Sequence, residues 1–147
     1  MPDAFDALSA MVPLVKTIGT EKVDVTADHA VLRLPDRADL HNHVGGPHAG
    51  VIFSLAESAT GTLVIQRFSD QLDRYVPLAA GASIRYRALA TGDITAEATM
   101  ASTREEILAE LEANGKVRFD VDALVRTADG TVTTEVTVSW ALRRTSA

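Results

Sequence analysis

Asn42-His43-Val44-Gly45-Gly46-Pro47-His48-Ala49-Gly50 runs directly into an apolar stretch, Val51 to Gly61, that carries a single carboxylate, Glu57. Glycine-rich backbone feeding the start of a helix exposes amide hydrogens and the positive end of the helix dipole. A carbonyl under attack, placed near the Ala49 or Gly50 amide, would find its developing negative charge stabilised there. Glu57 sits mid-helix among Leu55, Ala56 and Ala59, where an unpaired carboxylate is costly and its pKa tends to rise. Such a group has either a partner or a chemical role.

At about 100° per residue, the positions on the Glu57 face are Gly50, Phe53, Ser54, Thr60, Gly61 and Val64. They are mostly small, which leaves room for a substrate or another chain. Ile52, Leu55 and Ala59 lie opposite and suit a sheet. His48 and Glu57 are about 2.5 turns and ~13 Å apart, on opposite sides of the helix. If both serve one ligand, two chains must supply the site, and the functional unit is at least a dimer.

The other polar residues have plainer readings. Asn42 suits a turn in which its side chain bonds its own backbone, and His48 suits a helix start. Buried hydroxyls such as Ser54 and Thr60 commonly bond their own helix. His41, His43 and His48 lack a supporting acid at ligand spacing, so no metal site is expected. Arg85 and Arg87 alternate on a strand and read as a solvated face, with Arg143 and Arg144 as a solvated tail.

The elements that hold these residues follow from periodicity. Phe5 to Val12 has helical spacing with Asp3 as cap, and Pro13 discourages continuation. Val23 to Val25 and Val31 to Leu34 form a hairpin turning at Ala27 to His29. Asp36 to Pro47 is irregular, and His48 to about Arg67 is a helix hydrophobic nearly all round, hence buried. Ser83 to Leu89 and Ile94 to Ser102 alternate as strands. Arg104 to Ala113 is helical and stops at Asn114-Gly115. Two long strands, Val117 to Thr127 and Thr131 to Arg143, meet at the Asp129-Gly130 turn. Ser69 to Gly81 exceeds a plain connection and reads as a lid or an assembly contact. One apolar helix beside about six mostly antiparallel strands needs a sheet wrapped around it. The class is α+β.

The 147 residues fit a single domain over residues 1–147, with an N-terminal helical extension at 1–14 and a helical insertion at 103–114. A net charge of −6 gives no footprint for nucleic acid and disfavours anionic membranes. The absence of cysteine excludes disulfides and thiolate chemistry and fits a reducing cytoplasm. The first 15 residues carry Asp3 and Asp6 without a basic region, unlike a signal peptide.

Asn42, then His48-Ala49-Gly50, then Leu55-Ala56-Glu57 resembles the N–x5–H-G-G–x5–L-A-(D/E) pattern of hotdog acyl-CoA thioesterases of the phenylacetate-pathway (PaaI-like) type, nearest the branch without an assigned substrate. Ile84-Arg85-Tyr86-Arg87, Gly92-Asp93-Ile94 and the C-terminal hairpin with Trp140 resemble the same group, over about residues 15–144. The resemblance implies a hotdog fold, a homodimer or homotetramer, and hydrolysis of an acyl-CoA substrate without cofactor. It implies Glu57 as general base or nucleophile, Asn42 positioning the thioester or water, the Ala49 amide as oxyanion donor, and His48 structuring the helix start. Gly50, Phe53, Ser54, Thr60, Gly61 and Tyr86 would border the substrate. Two departures stand out: Ala49 replaces the first glycine of the pair, and Glu57 is one methylene longer than the usual aspartate. The crowding by Ala49 favours an alternative, a non-catalytic acyl or acyl-CoA binding protein. A hotdog dehydratase pairing His43 with Glu57 is a further alternative, disfavoured because the Pro-Gly step expected before its helix is missing.

Overall fold

The computed structural model describes residues 3–145; Met1, Pro2, Ser146 and Ala147, at the ends of the expected domain and of its N-terminal extension, lie outside the described residues. In chain order the elements are α1 (Ala4–Met11), α2 (Pro13–Thr17), β1 (Glu21–Val25), β2 (Ala30–Leu34), α3 (Ala49–Phe68), β3 (Tyr75–Tyr86), β4 (Ile94–Thr99), α4 (Arg104–Asn114), β5 (Lys116–Thr127) and β6 (Val132–Arg144). The six strands form one sheet in the order β1-β2-β4-β5-β6-β3, every pairing antiparallel. α3 fills its concave side. This is the expected α+β architecture.

Strict alternation makes the inner face. Val117, Phe119, Val121, Ala123 and Val125 of β5, with Val136, Val138, Trp140 and Leu142 of β6, are all buried against the helix. From Leu55 to Ile65 every residue of α3 except Glu57 is buried. Burying each large aliphatic side chain of this kind contributes about 1.5–3 kcal/mol, which is why the helix belongs inside the sheet and why its polar exception matters.

The helix ends follow local chemistry. Asp3 caps α1 by accepting from the Asp6 amide at 2.8 Å. Thr103 and Glu106 form a capping box on α4, and Gly115 closes it in the left-handed region at φ 71°.

One expectation is extended and one is corrected. Pro13 ends α1 but also starts α2, because proline suits the first turn of a new helix. Ser69 to Gly81 is neither a lid nor a plain connection: after a 3-10 turn at Ser69–Gln71 the chain enters β3, twelve residues paired along β6 from Tyr75 to Tyr86. Leu78-Ala79-Ala80-Gly81-Ala82 has little intrinsic strand preference, and the ladder with β6 imposes the conformation. β3 is an edge strand, which is why it tolerates Pro77. Except for half-buried Pro77, it is exposed from Val76 to Ser83.

Candidate active site

The loop before α3 is built by Asn42. Its Oδ1 accepts from the Val44 and Gly46 amides at 3.0 and 3.2 Å, and its Nδ2 donates to the Pro47 carbonyl at 3.3 Å. The Asn42 amide donates to the Gly46 carbonyl at 2.7 Å, and the His48 amide to Leu40 at 2.9 Å. Gly46 is required by space, since a Cβ there would lie 2.2 Å from the Ala90 carbonyl oxygen. Asn42 therefore acts on the loop. Its side chain takes the turn role expected of it.

His48 is the N-cap of α3, and its Nδ1 accepts from the Gly50 amide at 2.9 Å. That bond places the ring proton of a neutral His48 on Nε2. The His48 carbonyl accepts from Val51 and Ile52 at 2.9 and 3.0 Å. Of the first four helix amides, only that of Ala49 has no acceptor among the described residues. Ala49 and Gly50 are exposed, so this amide faces outward at the positive end of a 20-residue helix. Tyr86 donates its hydroxyl hydrogen to the Ala49 carbonyl at 2.8 Å, joining the end of β3 to the helix start. Partial burial raises the Tyr86 hydroxyl above its ordinary pKa.

Glu57 lies two turns further on, half-buried. Its side chain makes no hydrogen bond or ion pair among the described residues, and burial alone pushes its pKa up. Phe53 and Ser54 are half-open on the same face, with the Ser54 hydroxyl donating to the Gly50 carbonyl at 2.9 Å. Gly50, Phe53, Ser54 and Glu57 thus form one accessible stripe.

The stripe stops there. Thr60 and Gly61 were expected beside the substrate, yet both are buried. The Trp140 indole donates to Thr60 Oγ1 at 2.9 Å, and Thr60 donates to the Glu57 carbonyl at 2.7 Å. Gly61 lies under the Trp140 ring and the Leu8 side chain of α1. Helical spacing assigns the face correctly, but it does not register α1 or the indole covering its C-terminal half. Neither residue presents an atom to a ligand in this protomer.

The remaining polar groups are dispersed. His41 Nε2 lies 2.7 Å from Asp36, and His43 is exposed. Among the described residues no three His, Asp or Glu side chains gather as a metal site would require. Arg87 pairs with Glu135 at 2.8 Å. Two features escaped sequence reasoning: the Ala90 backbone pressed on Gly46, and the Tyr86 hydroxyl on the helix start. The conspicuous Gly45-Gly46 pair was the available signal for the first; the second had none.

The family described as Domain of unknown function (DUF4442) matches residues 4–142. No curated protein matches the sequence. Among solved structures, the chain is similar to a Pseudomonas aeruginosa protein of unknown function described as a probable thioesterase, with 26% identity, 97% of this chain and 94% of that one covered, and a TM-score of 0.84. A thioesterase enzyme from Staphylococcus aureus aligns at 16% identity and TM-score 0.75, covering 90% and 99%. The Escherichia coli PaaI protein of the phenylacetic acid degradation operon aligns at 16% and TM-score 0.73, covering 96% and 90%. With a six-stranded antiparallel sheet wrapped on one long helix, the chain belongs to the DUF4442 family, within the hotdog-fold thioesterase superfamily.

Proposed function

We propose that this protein hydrolyses acyl-CoA thioesters at a site shared between two protomers. The observation that carries the reading is Glu57: a half-buried carboxylate without a partner among the described residues, on a helix whose one unclaimed first-turn amide is that of Ala49. Glu57 and Ala49 are about 12 Å apart along the helix, too far to meet on one carbonyl. A second chain, bringing its helix start to the first chain's Glu57, completes the site. Support for such a pairing lies in β3, a long exposed edge strand whose Ala79 to Ser83 stretch is all small and whose outer backbone groups are open to strand addition.

In this mechanism Glu57 takes a proton from water, which adds to the thioester carbonyl while the Ala49 amide donates to the oxyanion. The C–S bond then breaks, Glu57 returns the proton to the departing thiolate, and a carboxylic acid and a thiol result. Direct attack by Glu57 through an acyl-enzyme anhydride is the variant of the same scheme. No cofactor enters, and a reducing cytoplasm suits a chain without cysteine.

A second reading, acyl-CoA binding without turnover, is favoured by the methyl group of Ala49 at the oxyanion position. Thiol release across short, medium and aromatic acyl-CoA substrates, with Glu57→Gln alongside, decides between them. Hydrolysis lost in a folded variant supports the enzyme. No release, with acyl-CoA still raising the wild-type Tm, supports the binding protein.

A further inference from the structure

We infer that α1 forms the end wall of the acyl site and that its Leu8 restricts the substrate to short acyl groups, an assignment that rests on the thioesterase reading proposed above.

The Glu57 face of α3 is open on one side of the carboxylate and closed on the other. Towards the helix start, Phe53 and Ser54 are half-open and Gly50 is exposed. Beyond Glu57, every residue from Ser58 to Ile65 is buried. Coenzyme A carries phosphates, and charges without partners are costly to bury. Its end of the thioester therefore leaves by the open side. The acyl group is left with the covered side, and what covers that side sets its length.

The cover is a side chain from α1 and one from β6. A Cβ built on Gly61 would lie 3.4 and 3.5 Å from two carbons of the Trp140 ring and 3.7 Å from Leu8 Cδ1. The absence of a side chain at Gly61 is what lets both rest on the helix. The indole is tethered, since its Nε1 donates to Thr60 Oγ1 at 2.9 Å. Leu8 is 8% exposed and belongs to a small apolar cluster with Ala4, Val15 and Ile65, apart from the main core. The Asp3–Lys22 ion pair ties the start of α1 to β1, so the wall is anchored at both its packing face and its cap.

Gly61 is one turn from Glu57, about 6 Å along the axis. A linear acyl chain running that way from a carbonyl at Glu57 meets Leu8 within that length. A butanoyl chain fits, and a decanoyl chain has to displace α1. The wall at that point is hydrocarbon on both sides, which suits the alkyl end of a short chain.

The test compares butanoyl-CoA with decanoyl-CoA by thiol release, and S-butyl-CoA with S-decyl-CoA by titration calorimetry, the thioethers being resistant to hydrolysis. The proteins are wild type, Leu8→Ala and Leu8→Ala/Gly61→Leu. Wild type is expected to favour the short chain by at least about tenfold in kcat/KM and in Kd, the scale of one ill-fitting methylene. Leu8→Ala should erase that preference. The double variant moves the leucine from α1 to α3, where its Cβ starts in ordinary contact, and should restore the preference. Restoration also shows that the single variant had not merely loosened the fold. Equal use of both lengths by wild type overturns the inference whatever the variants do, as does an undiminished preference in a folded Leu8→Ala. If no thioester is hydrolysed but the thioethers still sort by length and by variant in this way, the wall stands and the hydrolytic reading falls. No thiol release and no thioether binding overturns both.

Discussion

The Tyr86 hydroxyl donates to the Ala49 carbonyl at 2.8 Å, so the end of an edge strand fixes the first residue of the helix, whose amide has no acceptor among the described residues. The strand contributes a latch, not a wall.

Tyr86→Phe removes that latch and little else. A neutral hydrogen bond at a half-exposed position contributes about 0.5–1.5 kcal/mol, and the lower end is expected here. Turnover should fall by up to about tenfold through a loosened oxyanion donor, with KM changing less. Steady-state kinetics beside a urea melt separate the two effects. A loss of stability with unchanged kcat would mean that the bond merely holds the strand.

Glu57 gives a pH prediction with a defined sign. Burial raises its folded-state pKa, so its contribution to stability is fully present below the ordinary glutamate pKa and is lost as pH rises through the raised value. Glu57→Gln carries no such slope, and should gain stability relative to wild type as pH climbs through that window. Urea midpoints for both proteins between about pH 4 and about pH 8 measure it. Parallel curves would show that the carboxylate is not desolvated. As a base it must be ionised, so the acid limb of kcat/KM should lie above that of an exposed glutamate.

Thr60→Val keeps the shape of the side chain and deprives the Trp140 indole of its acceptor at 2.9 Å. A buried donor without a partner costs about 1–3 kcal/mol. The expected result is a lower Tm with KM for acyl-CoA unchanged, since Thr60 does not border the open stripe. A raised KM at full stability would return Thr60 to the substrate side.

Gly46→Ala places a methyl group 2.2 Å from the Ala90 carbonyl oxygen, which is backbone and cannot rotate away. Strain of about 1–3 kcal/mol is expected, with the Asn42 turn displaced and turnover sharply reduced. Gly45→Ala tests the other half of the pair: its φ of 79° strains any side chain, but nothing lies within 4 Å, so the smaller loss is expected there. Thermal melts and turnover for the two variants check the order.

Asp3 and Gly115 could be read as caps because capping needs only a few residues in sequence. The Asp129-Gly130 hairpin was legible for the same reason, as was the buried helix, whose apolar circumference admits no other placement. Glu57 stood out because a carboxylate in such a helix is an anomaly visible in one dimension. The end of β3 from Ser83 was legible by its alternation, but its first part was not: its alanines and glycine acquire strand conformation from β6, more than fifty residues away.

The sequence by itself determined which helix is central, which carboxylate it carries and which glycine-rich loop begins it, since these rest on periodicity and local backbone chemistry. Tertiary structure decided what each polar atom is free to do. It assigned Thr60 to Trp140 and the Ala49 carbonyl to Tyr86, leaving the Ala49 amide and the Glu57 carboxylate without partners among the described residues. Hydrogen bonds between residues eighty positions apart depend on where packing brings the chains of atoms together, and no local pattern encodes that distance.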